Sequence, residues 1–133
     1  MRVKIPDYKD AESILDESER QMAFTLTLPT SDTSAFTVVR NIYECFRMLG
    51  DAILVSQGIE SDDHVAPINA LLKLEVNTSR PTSAIDNLRR LRRKINYYGY
   101  HPTKAEADDS VDLAKSCFPS LLGAVKKEIA DKR

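Results

Sequence analysis

Apolar residues recur at intervals of three and four through one long stretch: Ala35, Val38, Val39, Ile42, Cys45, Phe46, Leu49, Ala52 and Ile53. That spacing follows the 3.6-residue turn of an α-helix and excludes a strand, whose side chains alternate with period two. A helix this long with so wide an apolar face has to be covered by other elements. The question for the rest of the chain is which elements those are.

The remaining patterns are helical too. Residues 10–27 carry Ile14, Leu15, Met22 and Leu26 on one face, with acids in the first turns, where the helix dipole favours them; Pro29 stops this helix. Thr30, Ser31 and Asp32 are N-cap candidates for the long second helix, and Gly58 is a natural residue to end it. A polar turn at 59–63 leads into a third helix over 64–76, with Ile68, Leu71, Leu72 and Val76 inward, Pro67 in its first turn and His64 as a capping residue. Residues 77–82 read as a loop. Ser83 and Asp86 resemble a capping box for a fourth helix that buries Ile85, Leu88, Leu91 and Ile95 and ends at Gly99. Thr103 and Glu106 form a second such box before a fifth helix over 104–129, which Pro119 is expected to kink. No period-two run of useful length exists. The expectation is an all-α fold, one domain over 1–133, arranged as an antiparallel up-and-down bundle of four to five helices.

Length and composition agree with this. A chain of 133 residues supports one core, and its net charge of −1 does not make the whole surface a polyanion binder. No apolar run approaches the roughly 20 residues of a membrane span, and the first residues lack the apolar core of a signal peptide, so the expected location is the cytoplasm, with no membrane partner. Cys45 and Cys117 fall among apolar neighbours and read as buried thiols. No Cys/His spacing suggests a metal site, and no Gly-rich phosphate loop or nucleophile elbow is present; no cofactor or metal is expected. Asp108, Asp109 and Asp112 share a helical face that reads as a solvated acidic surface.

Residues 87–101 stand apart: Asn-Leu-Arg-Arg-Leu-Arg-Arg-Lys-Ile-Asn-Tyr-Tyr-Gly-Tyr-His. On a helical wheel Arg89, Arg92, Arg93 and Asn96 fall on one flank of the apolar stripe, while Arg90, Lys94 and Tyr97 point further toward water. Guanidinium groups suit bidentate phosphate contact, and the aromatic rings of Tyr97, Tyr98 and Tyr100 suit base stacking. His101, one of only two histidines, is a candidate general base. A purely structural reading also holds for the arginines, as partners for acids on neighbouring helices, with the acidic segment 7–19 offering them.

With these residues in view, the chain resembles the HEPN family of small helical domains. Residues 35–58, with Arg40, Tyr43 and Phe46, look like the family's long helix, and 58–64 like the turn after it. Residues 91–100 lie where the family carries its signature, an Arg followed after four to six residues by His, often with a Tyr two positions later. Arg93, Tyr98 and Tyr100 match that spacing with Tyr98 in place of the His; Arg92, Asn96 and Tyr97 match a variant; seven residues separate Arg93 from His101. The resemblance implies a homodimer that pairs two motifs across a cleft. It implies either a metal-independent endoribonuclease, with Arg93 on the phosphate and His101 as base, or a degenerate relative. The degenerate form would bind RNA or a nucleotide through Arg89, Arg92, Arg93 and Asn96, or partner a nucleotidyltransferase in a toxin–antitoxin-like module, where Tyr100 would be the modified residue. A plain helical interaction scaffold is the remaining alternative.

Overall fold

The computed structural model describes residues 2–133; Met1, the first residue of the expected domain, lies outside them. Asp7 opens the first helix, α1 (Tyr8–Thr25), by accepting a hydrogen bond from the Asp10 backbone N–H at 2.9 Å. The helix therefore starts two residues earlier than expected, because the cap lies outside the periodic residues. The long pattern forms α2 (Ala35–Ser56), which is followed by Gly58 in the left-handed conformation at φ 74°. Thr30, Ser31 and Asp32 do not cap it. Ser31 and Ser34 bond to each other, and the Asp32 carboxylate instead accepts from the Lys104 N–H at 2.7 Å, at the start of the last helix.

The 59–63 segment is more than a turn: Arg2–Val3 (β1) pairs antiparallel with Ile59–Glu60 (β2). The third helix, α3 (Val65–Leu72), is shorter than expected and is capped by Asp63, whose carboxylate accepts from the Val65 and Ala66 N–H groups. His64, read as the capping residue, makes no cap hydrogen bond. The fourth helix, α4 (Ala84–Tyr98), lacks the Ser83 side-chain cap and ends on Gly99 at φ 63°. The fifth, α5 (Lys104–Lys132), opens on the expected Thr103/Glu106 box and runs unbroken past Pro119, which is exposed. A proline on the outer face leaves the freed carbonyl one turn back to water, which lessens its cost.

The core forms around α2, which packs against all four other helices. Val38, Ile42, Tyr43, Phe46 and Leu49 are fully buried, and the Phe46 ring meets Phe118 of α5 edge to face at 5.7 Å. Gly50 lets α3 approach: a Cβ there would strike the Pro67 carbonyl and lie 2.9 Å from its Cα. Cys45 and Cys117 are buried free thiols, and burial pushes the Cys45 thiol up to about 12. Among the described residues no helix is long and apolar enough to cross a membrane, and no cluster of His, Cys, Asp or Glu is placed to hold a metal ion.

Candidate functional site

Two depressions flank α4, and they differ in what their charges are doing. The larger, about 530 Å³, runs between α4 and α5 past Arg80, Arg90, Lys94, Glu106 and Asp109. Its charges are largely spent on each other. Arg80 bonds Asp109 and Asp112 at 3.0 and 3.1 Å, Arg90 pairs with Asp86, and Lys94 lies over the Tyr100 ring at 4.4 Å. Asp109 and Asp112, expected to face only water, are thus part of a structural clamp. Asp108 likewise bonds Lys104 and Thr30.

The smaller cavity, about 290 Å³, is lined by Tyr43, Asp62, Asp63, His64, Arg89, Arg92, Arg93 and Tyr97. Its arginines come from α4 at spacings of three and one, its floor from α2, and its opposite wall from the loop before α3. Arg92 is fixed most firmly. Its guanidinium lies over the buried Tyr43 ring at 5.4 Å, and its Nε sits 3.2 Å from Glu44 Oε1, an ion pair without hydrogen-bond alignment. With the Asn96 amide turned so that its oxygen faces the guanidinium, Oδ1 accepts from both terminal nitrogens at 2.6 and 3.2 Å. Glu44 is shared with Arg47, which also bonds Asp51 at 2.6 Å. Arg89 gives its Nε to Asp86 at 2.9 Å, leaving its terminal nitrogens without a partner among the described residues. Arg93 is exposed, makes no ion pair among the described residues, and stands 5.9 Å from the Tyr97 ring. The acids of α1 do not reach this helix; Glu19 pairs with Lys126 of α5 and Glu12 with Arg133, just past its end.

His64 is the residue that periodicity misplaced. Its ring stacks on Tyr43 with centroids 5.8 Å apart, and its Nδ1 lies 3.1 Å from the Tyr43 hydroxyl. Burial, with Arg92 and Arg47 nearby, holds its pKa below the ordinary 6.5, so the ring is neutral at pH 7. Burial also pushes the Tyr43 hydroxyl up to about 12, so it keeps its proton. That proton has no other acceptor among the described residues. Donating it to Nδ1 avoids an unsatisfied buried donor, which costs about 1–3 kcal/mol. The resulting tautomer carries its own proton on Nε2, making His64 a hydrogen-bond donor at the ring atom left for a ligand.

The other expected site residues divide. Arg89, Arg92, Arg93 and Tyr97 meet in the cavity; Asn96 supports it through Arg92. Tyr98 is 75% exposed and outside it. Tyr100 turns toward α5 and donates its hydroxyl to Glu106 at 2.7 Å. His101 is also elsewhere: its Nε2 lies 2.8 Å from the Asp32 carbonyl oxygen, and it does not line the cavity with Arg93. Tyr43 and His64 were not foreseen as site residues. The one sequence signal for them is a tyrosine on the otherwise apolar stripe of α2, a hydroxyl that needs a buried partner. No protein-family model, no curated protein and no solved structure matches the chain.

Proposed function

We propose that this chain is a HEPN-like protein, an antiparallel up-and-down helical bundle, that binds RNA or a nucleotide by its phosphate in the cavity beside α4. The observation that supports this reading is the convergence of Arg89, Arg92 and Arg93 with His64, Tyr43 and Tyr97 around one opening. Arg92 is held by Glu44, Tyr43 and Asn96 and contributes fixed positive charge. Arg93 and the terminal nitrogens of Arg89 are uncommitted and suit charge-assisted bonds to phosphate oxygens. His64 adds a neutral donor. The motif is degenerate in that Tyr98 stands where the family carries its histidine; His64, from the loop before α3, lines the same cavity. On the same resemblance the partner is a second copy of the chain or a nucleotidyltransferase. Tyr97 and Tyr98 are then the exposed hydroxyls of the motif, since that of Tyr100 is bonded.

The test is fluorescence anisotropy of labelled single-stranded RNA at low salt, with the wild type and Arg93→Ala. Arg93 supports no core contact, so the variant folds normally and binding falls at least about tenfold, the loss of one charge-assisted pair. Unchanged binding by Arg93→Ala refutes the site.

A second reading, metal-independent RNA cleavage, is favoured by the placement of His64 among arginines. It requires the opposite tautomer, with an unprotonated Nε2 as base. Chelator-resistant cleavage that His64→Ala abolishes and His101→Ala retains would establish it; cleavage lost only in His101→Ala would return the role to His101.

A further inference from the structure

We infer that the cavity is built for a guanine nucleotide, with its phosphate at Arg93 and its base edge at Asp62. This rests on the phosphate-binding reading and deepens it. Once internal pairs are subtracted, few groups around the cavity remain open. Arg92 is taken by Glu44 and Asn96. Asp63 is taken by Ser61 and the α3 N–H groups. His64 Nδ1 is taken by Tyr43. What is left is the Arg93 guanidinium and the terminal nitrogens of Arg89 on one wall, the His64 Nε2 and the exposed Asp62 carboxylate on the other, and the face of Tyr97, which is 75% exposed. Asp62 has no hydrogen-bond or ion-pair partner among the described residues.

A carboxylate opposite the arginines is the discriminating feature. A ligand that is only anionic would gain from Arg93 and be repelled by Asp62. The cavity therefore fits a ligand with a phosphate at one end and hydrogen-bond donors at the other. An ionised carboxylate only accepts. Guanine presents two adjacent donors, N1–H and the N2 amino group, which match its two oxygens. Adenine and cytosine place a single amino donor beside a ring-nitrogen acceptor, and uracil flanks its one N–H with carbonyls, so each would set a lone pair against Asp62. Tyr97 offers an aromatic platform that any base can use and so adds affinity without selectivity. The volume, near the lower end for small-molecule sites, suits one nucleotide rather than several.

The nucleotide is either free or one residue of an RNA, and the experiment separates these. Binding of GMP, IMP, AMP and inorganic phosphate is measured by calorimetry on the full chain, beside the dinucleotides GpU and ApU. GMP is expected to bind at least about tenfold more tightly than AMP, as a bidentate base contact discriminates. IMP, which keeps N1–H but lacks the amino group, falls between them. Asp62→Asn, checked for folding by circular dichroism, removes the GMP advantage. GpU binding as tightly as GMP assigns the site to RNA; GMP binding alone assigns it to the free nucleotide. Equal affinity for GMP and AMP, or a GMP preference that survives Asp62→Asn, overturns the guanine assignment and leaves phosphate binding standing. Absence of binding by every nucleotide and by phosphate overturns both.

Discussion

Gly50→Ala and Gly123→Ala are the same substitution in two helices, and the structure assigns them opposite signs. A Cβ at Gly50 would lie on the carbonyl of Pro67, with the carbonyl carbon at 2.5 Å and the Cα at 2.9 Å. Carbon atoms rest at about 3.5–4.0 Å, so the α3 backbone would have to retreat by roughly 1 Å. That movement loosens Ile68 and Leu71, both fully buried against α2. Each is worth about 1.5–3 kcal/mol when fully buried, and losing half of that for the pair costs about 1.5–3 kcal/mol. Alanine returns up to about 1 kcal/mol through helix propensity. The net is a destabilisation of about 0.5–3 kcal/mol, or a Tm lowered by about 2–15 °C for a chain of this size. At Gly123 nothing lies within 4 Å of the added methyl, so propensity acts alone and stability rises by up to about 1 kcal/mol. Urea denaturation of the two variants beside the wild type measures both. If Gly50→Ala is as stable as Gly123→Ala, the close α2–α3 contact is wrong, and with it the placement of His64, three residues before Pro67.

Three further expectations follow from the site and its supports. Arg92→Ala leaves Glu44 half-buried without its α4 partner and should cost about 1–2 kcal/mol, after allowance for an arginine side chain still 19% exposed, whereas Arg93→Ala should change stability by less than about 0.5 kcal/mol; equal urea midpoints would contradict the network. His64 has a folded pKa below its unfolded value of about 6.5, so the unfolded chain binds more protons between the two and the native state loses stability as pH falls from 6.5 through the folded value; denaturation at pH 7.5 and 5.5 should show a smaller drop in His64→Gln, and an NMR titration of His64 above 6.5 would refute the burial argument. Thr103→Ala removes one side of the α5 capping box and should cost about 1 kcal/mol by thermal denaturation, while a loss under about 0.3 kcal/mol would mean that Asp32, bonded to the Lys104 N–H, carries the cap alone.

The helices of this protein are legible in its sequence because each carries its own apolar stripe, a property that depends only on neighbours three and four residues away. The ends were legible where the stop or cap is local, as at Gly58, Gly99 and Thr103, and illegible where the capping group belongs elsewhere. Asp32 sits beside α2 in sequence but caps α5, and Asp63 took the role expected of His64. The arginine flank of α4 was read from the wheel, yet the wheel does not say which arginine is free. Arg92 is committed because Glu44 and Tyr43 lie one helix away, and Arg93, its neighbour in sequence, is not. His101 is the natural partner by its nearness along the chain, but the left-handed Gly99 turns residues 100–103 toward α5 and Asp32. His64 lies far from α4 in sequence and enters the site because Gly50 lets α3 close against α2, which sets the His64 ring on Tyr43. Periodicity thus determined what is helical and which face is buried. Only the packing of helices distant in sequence decided which charges cancel and which remain open, since pairing is settled by distance in space.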